Sequence, residues 1–213
     1  MKVDYIDHMG NDERVADSAR VSFDKIASNY SKEQNDKLIS FLARNGHFSP
    51  FTHPQLTLRY TVPIFVARQE FKHIVGFTRN EVSRRYVDEN PEFFEPVAWR
   101  SRPDKSIKQG SGENLDRGLQ EYYDEYYTRL LEFVEEMYRQ MVVDGVAPEQ
   151  ARMILPQSMY TSYYITGSLA AFARFYKQRS DNHAQKEIRQ LAQMVANVVE
   201  PIYPISWEAL TSG

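Results

Sequence analysis

The sequence predicts a helix-rich α+β domain, and three observations predict it. Several long segments repeat apolar residues at helical spacing. Between them, Leu56, Leu58, Tyr60 and Val62 alternate with polar neighbours, as the side chains of a half-buried strand do. No repeat, low-complexity tract or interdomain linker divides the 213 residues, which suffice for one substantial core. The expectation is therefore one domain over 1–213.

The opening "MKVDYIDHMG" has strand character and ends at Gly10. Asn11 can cap a short helix through "DERVADSARVSF". Ser31 and Gln34 form a capping-box pattern before a helix carrying Leu38, Ile39, Leu42 and Ala43, which Gly46 closes. The loop "HFSPFTHP" leads into the strand "QLTLRYTV". Pro63 suits the first position of a helix "PIFVARQEFKH", ending near His73. "SRRYVDE" and "FFEPVAWR" read as short strands, and 101–113 as a mobile surface loop. A long helix over about 115–143 carries a wide apolar stripe, whose clustered tyrosines fit packing better than a cofactor box. A short helix "APEQARMIL" stops at Pro156, "YTSYYITG" is a strand, and "SLAAFARFYKQR" and "HAQKEIRQLAQMVANVVEPI" are helices.

Composition excludes several classes of function. There are no cysteines, so disulfides, thiolate metal sites and a cysteine nucleophile are ruled out. Apolar runs are too short to span a membrane as a helix, and the acidic start does not resemble a secretion signal. A soluble, cytoplasmic protein is expected. The formal net charge of -3 argues against bulk nucleic-acid binding. His47 and His53 lie in one loop without carboxylate company, so no metal site is expected.

Basic residues are nonetheless concentrated. "FKHIVGFTRNEVSRRY", residues 71–86, holds Lys72, His73, Arg79, Arg84 and Arg85. If "NEVSRRY" is extended, Glu81, Ser83 and Arg85 share one face. A carboxylate, a hydroxyl and a guanidinium together suit a ligand with a phosphate and a polar ring. The alternative is a surface strand with cross-strand ion pairs. Arg152 sits among apolar residues before a proline stop, where an arginine is usually an ordinary helix-end residue or half of a partly buried ion pair. Arg174, Lys177, Arg179, His183 and Arg189 gather around "SDN". There Asp181 or Asn182 could cap a helix with His183 in its first turn, beside an anion site. Alternatively these charges are solvated and Glu187 pairs with them.

Taken together, "SARVSF", "HFSPFTHPQLTLRYTVPIFVARQEFKH", "RNEVSRRY", "ARMILP" and "KQRSDNHAQKEIRQLA" resemble the flavin-dependent thymidylate synthases in order and approximate spacing. The resemblance implies a central, largely antiparallel sheet flanked by helices, in a homotetramer with active sites at subunit interfaces. It also implies FAD as cofactor, NADPH as reductant and methylenetetrahydrofolate as one-carbon donor, in the methylation of dUMP to dTMP. Carried over by position, Gln69, Glu81, Ser83, Arg85, Arg152 and Arg179 look like dUMP contacts. Arg179 is placed to polarise the uracil, and Ser83 is more plausibly a substrate-binding group than a nucleophile. His47, Ser49, Lys72, His73, Asn80, Arg174 and His183 look like flavin-side residues.

The signature departs from the family pattern. Where the family has Arg-His-Arg followed seven residues later by its serine, this chain has Lys72-His73-Ile74 and eight residues before Ser83. Ala170 stands where many members have a cofactor-touching arginine, and Arg174 where many have asparagine or histidine. One basic residue lost and another gained suggests compensation. Two other readings stay open: a flavin- and nucleotide-binding protein of the same fold with impaired synthase activity, and a nucleic-acid binder using the 174–189 junction.

Overall fold

A computed structural model describes residues 1–87, 89–104 and 110–212. The architecture is α+β, built on a four-stranded sheet in the order β1-β2-β4-β3, antiparallel throughout. Its strands are β1 (Lys2–Met9), β2 (Gln55–Pro63), β3 (Phe77–Glu81) and β4 (Tyr160–Ser168). The alternation predicted for β2 is present: Leu56, Leu58, Tyr60 and Val62 are buried, while Arg59 between them is exposed. Tyr163 and Ile165 of β4 extend this apolar face. Ile39 and Leu42 of α2 (Lys32–Arg44), Phe172 and Phe175 of α6 (Leu169–Arg179), Leu191 and Val195 of α7 (Lys186–Val199) and Trp207 of α8 (Pro204–Thr211) cover it in one core. The opposite face is polar. Thr57 pairs with Thr166 and Thr61 with Ser162, each hydroxyl to hydroxyl at 2.9 Å, with Arg59 opposite Tyr164 between them.

Local signals set most boundaries. Asn11 caps α1 (Asp12–Arg20) through Arg14 N, and Ser31 with Gln34 makes the reciprocal capping box of α2. Pro63 closes β2 and stands at the N-cap of α3 (Ile64–Glu70), which ends three residues before His73. Gly76 takes φ +81°, and a Cβ there would come within 3.0 Å of the Ala171 methyl. At Gly167 a Cβ would lie 2.3 Å from the Phe77 ring, so glycine lets β3 close on β4.

Four expectations are corrected. The described residues of "SRRYVDE" form no strand: the Ser83 hydroxyl accepts Arg85 N–H and the Ser83 carbonyl accepts Tyr86 N–H, so a turn replaces the ladder. Glu81, Ser83 and Arg85 therefore do not share one strand face, since β3 ends at Glu81. "FFEPVAWR" makes only isolated bridges, Phe93 to Met159 and Arg100 to Asn114, where Pro91 and Pro96 withhold ladder donors. The helix expected to begin around Asn182 begins at Lys186, because Asp181 spends its carboxylate on His183 N–H and its carbonyl on Ala184 N–H, closing a separate turn. Of the predicted 101–113 loop, residues 105–109 lie outside the described residues.

The long helix α4 (Arg117–Val143) buries only Leu131, Val134 and Tyr138. Tyr122, Tyr123, Tyr126, Leu130, Phe133 and Met137 of the same helix are exposed. Among the described residues, no helix is long and apolar enough to cross a membrane.

Candidate active site

Most of the predicted site residues fall into two groups. The first lines an open cleft of about 750 Å³ on the polar side of the sheet. Glu81 and Ser83 reach it from the end of β3 and the following turn. Arg152 enters from the single-turn helix after α5 (Pro148–Ala151), and Thr61, Thr161 and Ser162 come from β2 and β4. Thr161 donates to the Glu81 carboxylate at 2.7 Å and so sets its direction.

Two arginines in this cleft were not among the predicted contacts. Arg59 stands on the open face of β2, and Arg84 follows Ser83. Period-two alternation puts Arg59 opposite the core and could have singled it out; only the observed turn brings Arg84 in. Arg84 donates to the Glu89 carbonyl and Arg152 to the Glu149 carbonyl at 3.4 Å. Among the described residues, Arg59, Arg84 and Arg152 make no ion pair with a carboxylate. These guanidiniums offer charge to an anion such as a phosphate, while Glu81, Glu89 and Glu92 line the same cavity.

Ser83 is poorly equipped as a nucleophile. Its hydroxyl accepts from both Arg85 N–H and Arg85 Nε–H at 3.3 and 3.2 Å. No histidine or carboxylate among the described residues hydrogen-bonds it, so it lacks an activating base. Arg85 itself faces outward, with its guanidinium 5.2 Å from the Tyr86 ring centre, and does not line the cleft.

The second group forms where α3, the 71–76 segment, α6 and the start of α7 meet. The Gln69 amide donates to Gln185 Oε1 at 2.7 Å. Arg179, at the end of α6, donates through Nε to His73 Nε2 at 2.8 Å and through Nη2 to the Gln69 carbonyl at 3.5 Å. His73 is buried, with its ring edge-on to Phe175 at 5.0 Å. Burial, then the positive charges of Arg179, Arg174 and Arg79, hold its pKa down to about 4, so the ring is neutral near pH 7.

Beneath His73 lies a dry ion pair. Arg79 donates Nε–H and Nη2–H to Glu70 at 2.9 and 2.5 Å, and Nη2–H to the His73 carbonyl at 2.6 Å. Tyr163 donates to the same Glu70 carboxylate at 3.1 Å. Glu70 is fully buried, and this burial raises its pKa while Arg79 opposes the shift. Arg79 is thus structural, although sequence reading placed it with the general charge excess.

Of the residues assigned to a flavin, Lys72, Asn80 and Arg174 are exposed around the 72–80 segment, and Arg174 donates to the Val75 carbonyl. His47 stacks on Phe41 in the exposed loop after α2, and Ser49 opens the short turn there. His183 is exposed and bound to Asp181 through Nδ1 at 2.8 Å. His73 alone is withdrawn from solvent. Glu187, an alternative partner for the basic junction, instead pairs with Arg100 at 2.6 Å. Among the described residues, no group of three or more His, Asp or Glu could hold a metal ion.

One α+β protein thus carries an antiparallel sheet with a polar face, a cleft lined by three arginines and a second basic cluster. The sequence profile of the thymidylate synthase complementing protein family matches residues 4–205, and the chain belongs to that family. The flavin-dependent thymidylate synthase of Thermosipho africanus is 36% identical over 215 residues, covering 96% of this chain and 88% of that one. That of Thermus thermophilus is 36% identical over 208 residues, with 96% and 73% covered. Among solved structures, the UMP/dUMP methylase PolB from Streptomyces cacaoi bound with 5-Br dUMP superposes with a TM-score of 0.86 at 28% identity, covering 99% of this chain and 94% of that one. The same methylase bound with 5-Br UMP gives 0.87 at 27% identity, with 99% and 93% covered.

Proposed function

We propose that this chain methylates dUMP at carbon 5 of the uracil. It is a flavin-dependent thymidylate synthase, a methyltransferase of its family. dUMP gives up the proton on carbon 5 and receives a methylene from methylenetetrahydrofolate and a hydride, yielding dTMP and tetrahydrofolate. NADPH, oxidised to NADP, is the ultimate reductant. The carrying observation is the cleft in which Glu81, Ser83 and Arg152 converge with Arg59 and Arg84.

The arginines of the cleft take the phosphate, while Glu81 and Ser83 offer an acceptor and a hydroxyl to the nucleoside. With no cysteine in the chain, no thiolate can add to carbon 6 of the uracil. Activation falls to electrostatics: Arg179 stabilises the negative charge that develops on the pyrimidine as carbon 5 attacks the one-carbon unit. The flavin fits the exposed Lys72, Asn80 and Arg174, with His47, Ser49 and His183 as further contacts. The arginine tied to the Val75 carbonyl restores a positive charge beside a segment whose signature lacks one. When bound and reduced, FAD supplies the hydride.

The separation of the two groups supports an assembly of several copies, which we take as a homotetramer with shared sites. Gln69, Arg85 and Arg179 do not line their own subunit's cleft and are available to a neighbour's. The exposed tyrosines, Leu130, Phe133 and Met137 of α4 offer an apolar face for such packing. On this reading 1–213 is one catalytic domain.

The test is direct. The purified protein, loaded with FAD and reduced by NADPH under nitrogen, is mixed with dUMP and methylenetetrahydrofolate. Flavin reoxidation and dTMP are expected together; FAD binding without dUMP-dependent reoxidation would favour the impaired flavoprotein. UMP offered in parallel reports whether a ribose is accepted.

A further inference from the structure

The signature histidine of this chain is turned inward. The residue is 7% exposed, and its Nε2 accepts Arg179 Nε–H at 2.8 Å. An imidazole nitrogen that accepts must be unprotonated, so the neutral ring carries its proton on Nδ1. The ring cannot swing easily, because Phe175 meets it edge-on at 5.0 Å. Its main chain is also fixed, because Arg79 holds the His73 carbonyl at 2.6 Å while its other bonds lock it to Glu70. Glu70 is in turn held by Tyr163 of β4. A continuous set of bonds therefore runs from the core face of the sheet, through Glu70 and Arg79, to His73 and then to Arg179.

This arrangement decides where the Arg179 guanidinium points. Its Nε and one Nη2 hydrogen are committed to His73 and the Gln69 carbonyl. The Nη1 hydrogens make no hydrogen bond among the described residues and, with the second Nη2 hydrogen, are open to a uracil carbonyl. A long arginine side chain without these acceptors would sample many rotamers, at a cost in orientation each time it met a substrate.

We propose that His73 is a positioning residue for Arg179, using its buried Nε2 as a fixed acceptor that aims the guanidinium at the pyrimidine. On this reading its imidazole serves Arg179 rather than the flavin. The Glu70–Arg79 pair acts one step further back by fixing the His73 main chain. This rests on the reading of Arg179 as the uracil contact, and the experiment separates the two. The low pKa of His73 agrees with the geometry, since a protonated ring would have no lone pair for Arg179 and would repel it.

The experiment compares His73→Ala, His73→Gln and Arg179→Ala by dUMP affinity, FAD affinity and single-turnover flavin reoxidation, with nitrogen-15 spectra of the wild-type histidines. A misaimed arginine should lower the His73→Ala rate by about 100-fold and weaken dUMP by about tenfold. FAD affinity should change little. In His73→Gln an amide oxygen can accept in place of the ring nitrogen, so much of the loss should be recovered. The wild-type spectrum should contain one neutral histidine protonated on Nδ1, absent from His73→Gln. Loss of FAD affinity in both variants with unchanged dUMP affinity would overturn the proposal, and so would an Nε2-protonated His73 in the wild type. If Arg179→Ala binds dUMP normally, the uracil role of Arg179 fails and the proposal falls with it. If Arg179→Ala weakens dUMP but His73→Ala does not, only the positioning role fails.

Discussion

The chain uses arginine in two opposite environments. In the cleft, Arg59, Arg84 and Arg152 have no carboxylate partners among the described residues. Under the sheet, Arg79 is 14% exposed at its side chain and forks onto Glu70, which is 1% exposed. The first arrangement leaves charge for an incoming anion and costs little, because water solvates the guanidiniums until the ligand displaces it. The second neutralises charge inside the protein, where an unpaired ion is expensive. Charge in the cleft recruits, whereas charge in the core positions. Arg179 stands between them, anchored at one edge and open at the other.

The largest effect should come from breaking the core pair. Arg79→Ala leaves Glu70 buried with only Tyr163 as partner, a loss of about 3–5 kcal/mol for such a pair. For a chain of this size that corresponds to a fall in melting temperature of roughly 10 °C. Replacing both partners together, as in Glu70→Leu with Arg79→Leu, should cost much less, because no buried charge remains. Thermal melts of the two variants test this. Equal losses would mean that packing, not the charge pair, holds the segment.

A smaller and different effect is expected in the cleft. Arg84→Ala and Arg152→Ala should each raise the dUMP KM by about tenfold or more, the worth of one charge-assisted bond. Melting temperature should hardly move. Added salt should weaken dUMP binding to wild type more than to either variant, since exposed charges are screened. An unchanged KM in Arg84→Ala would confine phosphate recognition to Arg152 and Arg59.

How much of this was legible in the sequence differs between the two regions. Strand β2 could be read because its alternation is a local pattern, and α2 because Ser31 and Gln34 mark its start. Glu81, Ser83 and Arg152, which the family resemblance singles out, lie together in the cleft, although the face-sharing argument for the first two with Arg85 fails. Its failure has a local cause: a serine hydroxyl competed for the backbone N–H that a strand needed. The core pair was not legible. Glu70 and Arg79 are nine residues apart in charged surroundings, and nothing short-range distinguishes a buried pair from two solvated side chains. Helix α8 was also not anticipated. Pro204 near its start is a local signal, but Asp12 caps it from the far end of the chain, accepting Ile205 and Ser206 N–H at 3.0 and 2.9 Å.

A further effect expected is a pH dependence of stability that belongs to His73. Its folded pKa of about 4 lies below the ordinary 6.5, so between those values the unfolded chain binds a proton that the folded chain refuses. Stability from this group is therefore fully present above pH 6.5 and declines as pH falls toward 4, by at most about 1.4 kcal/mol per pH unit. Glu70 acts in the opposite sense, because burial raises its pKa and the folded state then holds its proton more tightly. Arg79, Arg174 and Arg179 are the other charges facing the ring. His73→Gln keeps Glu70 and all three arginines, so the difference between variant and wild type isolates the histidine. Urea unfolding at pH 7 and pH 5 should show wild type losing more stability than His73→Gln over that interval. Parallel losses would place the ring in contact with water and remove the dry acceptor on which the aim of Arg179 depends.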